Sequence, residues 1–217
     1  MKTSLTQTTA RFSGIVGQNY HRLTRALPHY LKMQEVIAST VKRGLSQKAP
    51  RILDLGCGSG LTSLAIHDLV ADAIITGVDN EPKMLKQYTE HAGNLAGITV
   101  VEAEILKFLK GCKTGQYDTI VSGFVLHNLP HEIRHRIIVE IGRILKPGNL
   151  FVLGDKIAHD SIKEHNRALM VQMDGLVKAY NNPEDHEYGI GWIEHYIRDN
   201  QPDLKQTESE VRTSFAN

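Results

Sequence analysis

The sequence predicts an α/β fold, a doubly wound and mostly parallel sheet within a single domain. Two observations predict it. Short apolar runs rich in β-branched residues alternate with stretches of helical period, and a glycine-rich segment, DLGCGSG at Asp54–Gly60, stands where the first run gives way to the first helix.

The runs Arg51–Leu55, Ile74–Val78, Ile98–Val101, Tyr117–Ser122 and Leu150–Leu153 are bounded by Gly or Asp and read as buried parallel strands. Between them, Leu61–Val70, Glu81–Ala92, the short Ile105–Lys110 and His131–Leu145 have helical period, with Ile133, Ile137, Ile141 and Ile144 on one stripe of the last. This alternation implies right-handed crossovers. Upstream, Tyr20–Leu45 reads as one or two helices, broken near Pro28, lying over the sheet edge. Downstream, Ser161–Tyr180 places Leu169, Met173, Leu176 and Tyr180 at helical spacing. A polar break (NNPEDHEYG) follows, then a short helix over Gly191–Asp199 and a last helix still running at Asn217. The expected layout is N-terminal lid helices over 1–50, a ligand-binding core over 51–156, and a helical insertion over 157–217 that serves substrate or dimer contacts.

Bulk properties narrow the function. With 217 residues, 41% of them hydrophobic, one well-buried core is expected. Lys and Arg total 25 against 24 Asp and Glu, so no general basic field draws the chain to nucleic acid or an anionic membrane. The N-terminus lacks the apolar run of a secretory signal, and no stretch approaches the ~18 apolar residues of a membrane span. Cys57 and Cys112 lie far apart, one of them inside the glycine turn, which suits a reducing cytoplasm.

In an open α/β sheet, ligands bind beyond the carboxyl ends of the strands. Gly56, Gly58 and Gly60 fall there, where a missing Cβ permits a tight bend and close approach of ligand to backbone. Asp79, nineteen residues after Gly60, ends the second strand, where a carboxylate can accept protons from both ribose hydroxyls. A dinucleotide site prefers a third glycine one place later, where Leu61 stands, and carries a pyrophosphate that Asp54 would repel. S-adenosylmethionine has no pyrophosphate and presents a sulfonium and an amino acid end, whose ammonium Asp54 can help hold. Glycines serving only a tight turn remain the bland alternative.

The segments DLGCGSG, GVDNEPKML, VVEAEI, LHNLP and LKPGNLFVLGDK together resemble the class I S-adenosylmethionine-dependent methyltransferases over Arg51–Lys156. Including LPHY near the start and the region after Lys156, the chain is most similar to the carboxy-S-adenosylmethionine synthase branch and its methyltransferase relatives. The resemblance implies a Rossmann-like fold, with S-adenosyl-L-methionine as cofactor. Gly56, Cys57 and Gly58 would contact its methionine portion and Asp79 its ribose. Asn80 and Met84 would lie near ribose and adenine, Glu104 and the Ile105 backbone would read the adenine edge, and Tyr30 would reach the amino acid end. Met84 as core filler, Glu104 as a solvated charge and Tyr30 as a packing residue are the alternatives. Two more strands usually end this fold, and the sequence stops before either, so a sheet of five is expected. The synthase pairs an arginine with its ligand's extra carboxylate, and Tyr196 aligns there, with Arg198 two residues on. Gly123 stands where that branch has an asparagine. Both departures favour plain S-adenosylmethionine.

HEIRH at His131–His135 matches the zinc-protease pattern HExxH, but the isoleucine stripe turns both histidines roughly 160° from the buried face, so no metal is expected. His127 follows the fourth strand and is the candidate general base, or else a polar cap before Pro130. Trp192 and Tyr196 would line a pocket or close the core, while His159, His165 and His186 share no ligand spacing and are expected in solvent. The expectation is a methyltransferase acting on a small molecule, with a homodimer possible. A synthase that modifies the cofactor and a non-catalytic nucleotide-binding module are the alternatives.

Overall fold

The computed structural model describes residues 27, 29–201 and 204–214. The expected helical turns before Pro28, and the end of the last helix at 215–217, lie outside them. The described residues fall into two compact units. One holds Leu31–Leu126 and Glu132–Asp155, and the other holds Tyr30, His127–His131 and the described residues from Lys156 onward.

The first unit is built on a five-stranded, fully parallel sheet in the order β3-β2-β1-β4-β5, with β1 Arg51–Leu55, β2 Ile74–Asp79, β3 Ile98–Glu102, β4 Tyr117–Gly123 and β5 Leu145–Gly154. The order reverses between β1 and its neighbours, so the strand ends beside β1 form the crevice at which such sheets bind ligands. Helices α1 (Tyr30–Gly44), α2 (Leu61–Leu69), α3 (Pro82–Ala92), α4 (Ile105–Gly111) and α5 (His131–Ile144) intervene. Strand alternation divides the core. Ile52, Ile75 and Val121 meet Ile37, Ala38 and Val41 of α1 and Ile66 of α2, whereas Cys57 packs with Leu85, Tyr88 and Ala92.

Helix starts follow local chemistry. Glu81 caps α3, its side chain accepting from the Lys83 N–H at 3.4 Å with Pro82 next in line. β5 begins five residues before the apolar run at Leu150. Tyr117 pairs with Leu145 and Thr119 with Leu150, so Lys146–Asn149 bulge out, where Pro147 lacks an N–H and Gly148 is left-handed.

In the second unit, α6 (Ile162–Ala179), capped by the Ser161 hydroxyl, is followed by α7 (His186–Asp199) and α8 (Glu208–Ser214). α7 starts five residues before the expected Gly191, so HEYG is helical rather than part of the break. Packing overrides its glycines: Tyr188 and Trp192 are buried four residues apart, and a Cβ on Gly189 would lie 2.8 Å from that of Tyr180. Tyr180, Tyr188, Trp192 and His195 make a run of edge-to-face rings.

Candidate cofactor-binding site

The turn after β1 is held to β2 by backbone bonds. The N–H groups of Gly56 and Cys57 both donate to the Val78 carbonyl, at 2.7 and 3.1 Å. Gly56, Gly58 and Gly60 are all left-handed, with φ of 68°, 51° and 88°. Space is as restrictive as conformation: a Cβ on Gly56 would strike Val125, one on Gly60 the Tyr88 ring, and one on Gly58 would sit 3.1 Å from Met84 Cε. Cys57 points its thiol into the core, where burial raises the thiol pKa, leaving only its backbone for a ligand.

Asp79 sits against this turn. Its Oδ2 accepts the Gly58 N–H at 3.0 Å and its Oδ1 the Glu81 N–H at 2.9 Å, which fixes the carboxylate against the turn. Burial pushes its pKa up, and those backbone bonds oppose the shift. One strand further, Asn80 Nδ2 donates to Glu104 Oε1 at 2.9 Å, and Glu104 precedes Ile105 at the start of α4. Asn80 and Glu104 are thus linked at the ends of β2 and β3, and Met84 is buried beside the turn.

Asp54 is the least conventional group. It is buried, its Oδ2 accepts the Ser63 hydroxyl at 2.6 Å, and its Oδ1 has no hydrogen-bond partner among the described residues. Burial, opposed by Ser63 and reinforced by the Asp79 charge, pushes its pKa up to about 7. A buried carboxylate with an idle oxygen suits a cationic ligand, which would repay the cost of ionising it. That donor set, with the left-handed glycine backbone, fits the amino acid end and ribose of S-adenosylmethionine.

Ten of the expected cofactor residues therefore lie in the sheet unit, and Tyr30 and His127 lie in the other. Tyr30 is buried at the start of α1. His127 is buried too, its Nε2 3.6 Å from Asp199 Oδ2. His131 and His135 are exposed, while Arg134, Ile137 and Ile141 are buried. Trp192 and Tyr196 are both buried; Trp192 joins the ring cluster, and Lys156 Nζ lies over Tyr196 at 3.7 Å. His159 and His186 are exposed as expected. His165 is not: it is half-buried, with Nε2 2.7 Å from Asn200 Oδ1, because α6 packs on the end of α7.

Two features had no sequence signal. Phe124 is left-handed (φ 59°), a strained state for a non-glycine residue, and its N–H donates to Gly154. The turn there puts Val125 against Gly56. Ser63, the partner of Asp54, was legible only as a helix residue nine positions on.

A parallel doubly wound sheet with such a turn and an acidic second strand end defines a class of nucleoside-binding α/β proteins. Residues 52–148 match the family model described as a methyltransferase domain. The segment that carries the glycine turn and Asp79 is thus similar to methyltransferase domains. The chain is 27% identical over 142 residues to the carboxy-S-adenosyl-L-methionine synthase of Campylobacter fetus subsp. fetus, covering 65% of this chain and 58% of the relative. It is 28% identical over 180 residues to the synthase of Pseudoalteromonas atlantica, covering 82% and 72%. The chain thus spans less than two thirds of the length of the first of these relatives. Among solved structures, the plantazolicin methyltransferase BpumL in complex with SAH superposes with TM-score 0.64 at 17% identity, covering 96% of this chain and 72% of that one. A putative sarcosine dimethylglycine methyltransferase from Galdieria sulphuraria gives 0.59 at 21%, covering 77% and 80%. These two establish the fold alone.

Proposed function

We propose that the protein transfers a methyl group from S-adenosylmethionine to a small-molecule acceptor. The observation that carries this reading is the buried Asp54, with one oxygen unpartnered, beside a left-handed glycine turn locked to Asp79. When bound, the cofactor supplies an electrophilic methyl on a sulfonium centre. The chain's own residues bind and orient: Asp79 accepts the ribose hydroxyls, Glu104 and the Ile105 backbone read the adenine edge, and Asp54 accepts from the ammonium. In-line positioning of donor and acceptor is the main catalytic device. A base is needed only for an acceptor that must lose a proton, and His127 is the expected candidate for it.

Calorimetric titration of the full chain with S-adenosylhomocysteine tests the reading. Binding by the wild type is expected, weakened roughly 30- to 100-fold in Asp79→Ala, the worth of charge-assisted bonds lost from a preorganised site. No binding, or equal binding by the variant, would refute it. Binding without methyl transfer to any acceptor would instead identify a nucleotide-binding module.

The second reading, a cofactor-modifying synthase, draws support from the names of the curated relatives. Three features oppose it. Tyr196 stands at the arginine position, Arg198 is exposed, and an asparagine at Gly123 would set its Cβ 2.8 Å from Thr62 Oγ1, which is engaged with Gln34. Mass spectrometry of the copurified ligand separates the two: an added carboxylate favours the synthase.

No helix of the described residues is long and apolar enough to cross a membrane, and both cysteines are free. A cytoplasmic protein with no nucleic-acid partner fits these facts and the charge balance. A homodimer is supported by α6, which leaves Ile162, Met170 and Val171 exposed.

A further inference from the structure

We infer that His127, His195 and Asp199 form a binding site for a divalent transition-metal ion, with zinc the best fit. The three side chains are buried, at 6%, 9% and 5% exposure, and each offers one ligand atom within 4.8 Å of the other two. The Nε2 atoms of His127 and His195 each lie 3.6 Å from Asp199 Oδ2. Zinc bound at about 2.0–2.1 Å in tetrahedral geometry spaces its ligands about 3.3 Å apart, so each histidine stands within a few tenths of an ångström of that spacing from Asp199, and the two histidines close on each other from within 4.8 Å. His195 and Asp199 stand one turn apart on α7, the spacing at which a helix offers two ligands on one face. His127 comes from the short turn Leu126–Asn128, so the set joins two segments distant in sequence.

Two imidazoles and one carboxylate are the ligand set of open zinc sites, which keep a position for water or substrate. His127 and Asp199 also line a pocket of about 530 Å³, counted with the solvent at its mouth, together with Lys156, His165, Asn200 and Gln206. That pocket supplies the entry path a metal needs. The site is distinct from HEIRH, whose histidines are exposed. It also gives His127 a role other than a base, because its Nε2 faces the Asp199 carboxylate.

Lys156 is the competing cation. Its Nζ lies 3.5 Å from the same Asp199 oxygen and over the Tyr196 ring, and it neutralises the carboxylate when no metal is bound. Metal binding must displace it, so removing its charge must tighten the site, by roughly tenfold for a repulsion of this range. A purely structural ion-pair cluster would have no such response.

The test uses the full chain dialysed against chelator and titrated calorimetrically with zinc chloride. One equivalent is expected to bind the wild type, more tightly the Lys156→Met variant, and neither His195→Gln nor Asp199→Asn. Melting with and without zinc shows whether each variant folds, and zinc-edge X-ray absorption of the wild type reads two imidazoles and no sulfur without any variant. Failure of both the wild type and Lys156→Met to bind would overturn the proposal, as would binding abolished by His131→Ala or retained in His195→Gln. None of these readouts involves methyl transfer, so the inference stands or falls apart from that reading.

Discussion

In the proposed site, Asp54 ties the stability of the protein to its ligand chemistry. Folded, it holds its proton up to about pH 7, whereas in the unfolded chain it releases it near 3.8. The stability contributed by the protonated form is therefore complete below about pH 4 and is lost as pH rises through 7, at a cost of up to about 4 kcal/mol. Cofactor binding runs the other way, since the ammonium needs the ionised carboxylate. Between pH 5.5 and 7.5 the free protein should lose thermal stability while its affinity for S-adenosylhomocysteine rises. Asp54→Asn should flatten both trends, keeping the melting temperature at the higher pH but binding weakly. Calorimetry at the two pH values checks this, and an Asn variant with wild-type affinity would remove Asp54 from the ligand's contacts.

The turn between β1 and α2 shows what sequence can and cannot reveal. DLGCGSG is legible because glycine takes the left-handed states at 56, 58 and 60 without the strain a side chain would bring. What lies behind those glycines is not local: Val125 and Tyr88 come from segments far along the chain, as does the strained Phe124. For the same reason α7 starts before its expected Gly191, its start being decided by Tyr188 and Trp192 packing rather than by propensity, and β5 starts before its apolar run because its pairing skips Lys146–Asn149. His195 and Asp199 carry no local ligand signal because the third member of the set, His127, lies 68 residues before His195. Gly60→Ala tests how rigid the turn must be. It forces a Cβ into both a left-handed backbone and the Tyr88 ring, costing about 2–4 kcal/mol. The melting temperature should fall by roughly 4–16 °C, measured by differential scanning calorimetry, whereas alanine at the exposed and unobstructed Gly142, inside α5, should raise it slightly.

On the proposed reading, ligand linkage acts through the sheet unit, to which the glycine turn, Asp79 and Glu104 belong. A ligand that binds only the folded state at 100 times its Kd adds about 2.7 kcal/mol. For a chain of 217 residues this raises the melting temperature by roughly 5–11 °C. Saturating S-adenosylhomocysteine should produce that shift in the wild type and little in Asp79→Ala, because the carboxylate that ties β2 to the turn is the proposed partner of the ribose. NADH is the informative control. Its pyrophosphate would have to settle beside Asp54 and a turn whose third glycine is followed by Leu61, so it should leave the melting temperature unmoved. A shift with NADH and none with S-adenosylhomocysteine would return the turn to a dinucleotide. A shift with S-adenosylhomocysteine that persists in Asp79→Ala would place the ligand elsewhere on the molecule.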